Sequence, residues 1–229
     1  MHHQAAEASA ELAGSKSEAR ADRAGEHRDG RQRSWGRPDV LSRDAFVHSH
    51  ASDGTVSPEE VVERAIAGQL EVPALSDRDT VRGVGPAVAA ASGRPLQIIP
   101  AVEMSSTFEG EGIHILGYFV DLEAEALARH ARRSYERRAA GGIPVWAHPP
   151  AERFHELLPR LLDAGLRGLE VYRATRTYVS VAELEEVARS KGLLVTGGSD
   201  WHGPGGGTEL GDFYVTGDEV SDFLAAGGM

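Results

Sequence analysis

Asp200 and His202 stand two residues apart in Thr196-Gly197-Gly198-Ser199-Asp200-Trp201-His202-Gly203, directly after the apolar run Leu193-Leu194-Val195. Side-chain direction in an extended chain repeats every second residue, so a carboxylate and an imidazole at that spacing can face one cavity. The glycines let the backbone turn closely there. A strand end of this kind can offer ligands to a metal ion. Other strand ends carry the same residue types: His48, Asp77, Glu103 and His148, joined by His114 at the start of its own run. With no Cys in 229 residues, thiolate zinc sites, disulfides and cysteine nucleophiles are excluded, so any metal must rest on His and carboxylates.

The elements that must position these residues are short apolar runs alternating with helical segments. Ala45-Phe46-Val47 leads into His48, and Ser57-Pro58-Glu59-Glu60 is a capping box that opens a helix running to about Ala67. Further strands are predicted over 72–75, over 96–102 ending at Glu103, over 114–119, over 143–147 stopping at His148, over 168–172 and over 213–215. Helices are predicted near 86–91, over an Ala- and Arg-rich stretch at 123–140, and over 152–164 and 181–191. Such alternation predicts a parallel sheet. In a (β/α) barrel, functional groups gather on the face where the strands end, which would bring the collected residues together.

The length and 41% hydrophobic content fit one core-forming domain, expected over 39–229. Residues 1–38 are rich in Ala, Glu, Arg, Gly and Ser with almost no aliphatic residues, a composition that predicts a disordered tail. A net charge of −11 argues against a broad electrostatic grip on nucleic acid, while a surplus of carboxylates suits a site that holds divalent cations. No apolar run approaches the ~18 residues of a membrane span, and the N-terminus lacks the apolar core of a secretion signal. The expectation is a soluble, cytoplasmic protein without a membrane partner.

Several segments, taken in order, resemble the PHP (polymerase and histidinol phosphatase) family: Ser52-Asp53-Gly54-Thr55, Ala74-Leu75-Ser76-Asp77-Arg78-Asp79-Thr80, Ile99-Pro100-Ala101-Val102-Glu103, His114-Ile115-Leu116-Gly117-Tyr118-Phe119, Ala147-His148-Pro149, Gly168-Leu169-Glu170-Val171-Tyr172 and the Gly197 to Gly203 stretch. The branch it looks most like trims 5′ nucleotides from short RNAs and dephosphorylates nucleoside 3′,5′-bisphosphates. The resemblance implies an α/β fold, a distorted (β/α)7 TIM-like barrel, with a cluster of two or up to three divalent metals that hydrolyses phosphoesters. It puts His48, Glu103 and Asp200 on a first metal, Glu103, His114 and His148 on a second, and Asp53 and His202 on a third. His and carboxylate ligands suit Mn, Zn or Fe. The implied partner is a phosphorylated small molecule or a short oligonucleotide.

The chain departs from the family pattern in four places. The family's His-x-His falls on Phe46-Val47-His48, its Asp-His-Asp on Asp77-Arg78-Asp79, and its His after Val-Tyr on Arg173, while the interval that holds a helical insertion is shortened. Two compensations are open: His48-Ser49-His50 can supply a shifted pair, or Arg78 can put a permanent cation at the third position, held by Asp53 or Asp77. Asp77 and Arg78 are accordingly assigned the catalytic roles, and Glu170 the orientation of a ligand. A metal-dependent phosphoesterase and a degenerate relative that binds phosphorylated ligands or a partner without turnover both remain open.

Overall fold

The protein is seen in a computed structural model that describes residues 42–108, 110–123, 142–173, 179–205 and 209–229. The expected tail and the expected Ala- and Arg-rich helix lie outside the described residues, as does the shortened insertion. Strands β1 (Ser42–Val47), β2 (Val72–Leu75), β3 (Ile99–Phe108), β4 (Glu111–Tyr118), β5 (Ile143–Ala147), β6 (Gly168–Arg173), β7 (Leu194–Gly198) and β8 (Val215–Thr216) form one sheet in the order β7-β6-β5-β4-β3-β2-β1-β8. Helices α1 (Pro58–Ala67), α2 (Val84–Ala91), α3 (Phe154–Asp163), α4 (Val181–Lys191) and α5 (Ser221–Ala226) accompany it.

The helix boundaries follow their local chemistry. Ser57 Oγ accepts the Glu60 N–H at 3.1 Å and Pro58 opens α1, as the capping box predicts. Ser180 caps α4 in the same way, and Gly192 ends it in the left-handed region at φ 64°.

The expectation of a parallel sheet is corrected. β1-β2, β2-β3, β5-β6 and β6-β7 are parallel, but β3-β4, β4-β5 and β1-β8 are antiparallel. Only residues 109 and 110 separate β3 from β4, which leaves no room for a crossover helix and forces a hairpin. β3 also runs five residues past Glu103, so that carboxylate lies inside a strand and not at its exit. The result is a distorted, nearly closed barrel of mixed sheet with one long hairpin.

Closure occurs beside the candidate ligands. The Asp200 N–H donates to the Phe46 carbonyl at 3.0 Å and the His48 N–H to the Trp201 carbonyl at 2.9 Å, tying the chain after β7 to the end of β1. Gly198 makes the approach possible, because a Cβ there would lie 2.5 Å from Phe46 Cβ and 2.6 Å from Phe46 N. Gly198→Ala is therefore expected to cost about 1–3 kcal/mol of stability, measured by urea unfolding. A stability equal to wild type would show that the seam tolerates separation.

Trp146, Phe154, Leu157 and Leu169 fill one side of the core, and Phe46, Tyr118, Val145 and Phe223 another. Among the described residues no helix is long and apolar enough to cross a membrane.

Candidate metal centre

Seven of the sequence-assigned ligands converge. His48 follows β1, and its side chain is fully buried. Its Nε2 lies 3.3 Å from Asp200 Oδ1 and 3.6 Å from Glu103 Oε2, and its Nδ1 lies 3.3 Å from Asp53 Oδ1. His202 stacks on it with ring centroids 4.1 Å apart, and His202 Nε2 is 3.6 Å from Asp53 Oδ2. On the other side Glu103 Oε1 is 2.7 Å from His114 Nδ1 and 3.5 Å from His148 Nε2.

The hairpin explains the second grouping. His114 pairs with Ser105 across β3-β4 and with Ala147 across β4-β5, so it is the diagonal neighbour of Glu103 and lies next to His148. Two sets of donors result, His48 with Asp200 and His202, and Glu103 with His114 and His148. Within each set the ligand atoms lie within 4.8 Å of one another.

Both ring nitrogens of His48 are buried without a hydrogen bond, and both carboxylate oxygens of Glu103 are buried against imidazoles and Arg78, with His114 Nδ1 at hydrogen-bonding distance. Orphaned polar atoms in an interior cost about 1–3 kcal/mol each, so the two His48 nitrogens, with carboxylates facing both, call for a further partner. A divalent cation on each side of Glu103 would satisfy them, and the imidazole and carboxylate donors suit it. Burial alone would raise the Glu103 pKa, but the imidazoles of His114, His148 and His48 outweigh it and hold the carboxyl far below its ordinary range. It is therefore ionised.

Two of the three substituted positions, Phe46 and Arg78, lie against the donor sets. Phe46 is buried between the imidazoles, its ring centroid 5.1 Å from that of His48 and 6.1 Å from that of His148. His50 is exposed and its Nδ1 meets the Val56 carbonyl at 3.1 Å, apart from both donor sets. The Arg78 guanidinium reaches Asp53 Oδ2 through Nε at 2.7 Å, Glu103 Oε2 through Nη2 at 3.3 Å and His114 Nε2 through Nη1 at 3.2 Å. Asp53, and not Asp77, thus holds the arginine. Asp77 is fully buried and accepts the Ser49 N–H at 2.7 Å and the Ser52 hydroxyl at 2.9 Å.

Behind the ligands lie further buried carboxylates. Glu170 Oε2 accepts the His148 N–H at 2.6 Å, as the orienting role expects. Asp44 accepts the Ser199 N–H at 2.8 Å and the Ser199 hydroxyl. The sequence held one signal for Asp44, a carboxylate directly before the apolar run Ala45-Phe46-Val47. Burial raises Asp44 to about 7, partly offset by Ser199. It raises Glu170 to about 8, offset by the His148 N–H and by Arg173.

In the folded protein each of these two groups keeps its proton where the unfolded chain has lost it. Their contribution therefore makes stability decline as pH rises from the unfolded carboxyl pKa of about 4 towards the folded values. Glu170→Gln, neutral at every pH, is expected to remove on the order of a few kcal/mol of that decline. Melting temperatures of chelator-treated protein at pH 5 and pH 8 check this, and an unchanged slope would place the proton elsewhere.

No family model matches the chain. It is 41% identical over 99 residues to a 5′-3′ exoribonuclease of Haemophilus influenzae, covering 42% of this chain and 36% of that protein. It is 36% identical over 95 residues to a 3′,5′-nucleoside bisphosphate phosphatase of Chromobacterium violaceum, covering 42% and 33%. The chain thus spans about a third of the length of these curated relatives. Its fold is shared with a solved metal-dependent phosphoesterase of Bifidobacterium adolescentis, at a TM-score of 0.68 and 22% identity, covering 80% of this chain and 96% of that one. It is shared also with a two-domain protein of Bacteroides vulgatus that contains a PHP-like metal-dependent phosphoesterase, at a TM-score of 0.56 and 19% identity, covering 76% and 57%.

Proposed function

We propose that this chain, PHP-like in sequence and in fold, is a metal-dependent phosphoesterase that hydrolyses phosphate esters of nucleotides or of short RNA 5′ ends. The observation that carries this is the buried Glu103 carboxylate, whose oxygens face imidazoles on both sides, His48 on one and His114 and His148 on the other. His48 and Asp200, with His202 beside them, would hold one divalent ion, and His114 and His148 a second, with Glu103 between the two. Mn, Zn or Fe suits such donors. Bound there, divalent ions supply Lewis acidity towards phosphoryl oxygens and lower the pKa of water.

The protein's own residues set how a substrate meets that centre. His48 and Glu103 form its floor, both fully buried, while Asp53, Asp200 and His202 are 43%, 42% and 35% exposed at the rim. Arg78, 29% exposed, stands between floor and rim and presents a planar fork that suits a phosphoryl group. In this reading Arg78 contacts substrate and Asp53 orients it, while Asp77 acts only by holding the loop after β1. The net charge of −11 opposes a long nucleic-acid track, which favours mononucleotides and short oligonucleotides.

A second reading, binding without turnover, is favoured by Phe46, whose phenyl ring lies where a further imidazole would complete the first donor set. Protein loaded with Mn²⁺ and incubated with nucleoside 3′,5′-bisphosphates and 5′-phosphorylated short RNA separates the two. Release of phosphate or a nucleoside monophosphate supports hydrolysis. Silence with Mn²⁺, Zn²⁺ and Fe²⁺ alike, followed by a gain in Phe46→His, supports a binding relic.

A further inference from the structure

We infer that Asp44, Asp77 and Glu170 form a set of buried braces, each reaching from its own strand or from the residues just past it to the exit of the neighbouring strand to fix a ligand-bearing segment. All three are essentially inaccessible to solvent, at 0%, 0% and 1% exposure. None belongs to either donor set. This rests on the metal centre proposed above and names the residues that would hold its ligands in place.

The three contacts repeat one design. Glu170 on β6 accepts the N–H of His148 just past β5. Asp44 on β1 accepts the N–H and the hydroxyl of Ser199 just past β7, next to Asp200. Asp77, just past β2, accepts the N–H and hydroxyl of Ser49 and the hydroxyl of Ser52, between His48 and Asp53. In each case a carboxylate binds donors in the loop itself, so it governs backbone placement and leaves the ligand side chain free.

Two of the braced segments need such help. His148 and Asp200 adopt φ values of 31° and 56°, a left-handed conformation that is unfavourable for residues with a Cβ. An N–H donated to a buried carboxyl oxygen fixes the backbone that carries it and can offset that strain. Packing supports the third brace, because a Cβ on Gly83 would lie 2.2 Å from Asp77 Oδ2 and 2.9 Å from Ser49 Oγ. The glycine at the start of α2 admits the Asp77 and Ser49 pair.

What each brace supplies is an acceptor, which a neutral amide can replace. Glu170→Gln is expected to keep wild-type Mn²⁺ affinity in calorimetric titration. Glu170→Met, similar in volume but without an acceptor, is expected to lose roughly 10- to 100-fold. Equal affinity in all three proteins would overturn the inference, as would an equal loss in Gln and Met. If wild type takes up no Mn²⁺, the proposed function fails, and the brace is still judged by hydrogen exchange at the His148 amide. Exchange there should quicken on the order of tenfold or more in Met but not in Gln, with the Trp146 amide unchanged, and a His148 amide that exchanges alike in all three overturns the brace. Ser199→Ala, which removes a donor to Asp44 without disturbing a buried carboxylate, gives the same choice at Asp200 should the Met variant not fold.

Discussion

Glu103→Ala is expected to abolish metal binding and phosphoester hydrolysis together, with turnover falling by at least ~100-fold. Loss of a hydrogen-bonding partner behind a ligand already reduces affinity or activity about 10- to 100-fold, and Glu103 belongs to one donor set and faces His48 of the other directly. The carboxylate is ionised because three imidazoles surround it, and without it His48, His114 and His148 would face one another across an uncharged gap. Metal titration and phosphate release on the same preparation check the prediction. Retention of either would remove Glu103 from the centre of the site.

Arg78→Ala is expected to divide the two properties. In the proposed mechanism its fork meets the substrate phosphoryl group, and charge-assisted contacts of that kind contribute about 1.5–3 kcal/mol. kcat/KM should therefore fall roughly 10- to 100-fold. Metal content should not fall, because the arginine competes for Asp53 and Glu103 and supplies no ligand. Arg78→Lys should lie between, retaining charge without the planar fork. A loss of metal in Arg78→Ala would show instead that the guanidinium holds the donors in place.

The alternation of strands and helices was legible because its punctuation is local: Ser57 with Pro58, Ser180 and Gly192 each mark a helix end within one turn of chain. The β3-β4 hairpin was not. Glu103 is a polar residue after an apolar run, which reads as the end of a strand, whereas its carboxylate is buried in mid-strand among imidazoles. His48, Asp200, His202 and His114 were legible from their positions at strand ends, and the grouping of His114 with Glu103 and His148 came from the resemblance, since β4 pairing is a long-range property. Asp53 and Asp77 looked equally able to hold Arg78. Only the fold separates them, giving Asp77 to Ser49 and Ser52 and leaving Asp53 to the arginine. Asp44 had no periodic signal, because its partner Ser199 lies 155 residues away.

Elemental analysis of protein loaded with Mn²⁺ and freed of unbound ion tests most directly whether these strand ends form a metal centre. About two ions per chain in wild type, falling towards none in Glu103→Ala, is the expected result. A wild-type chain that retains no divalent ion would contradict it.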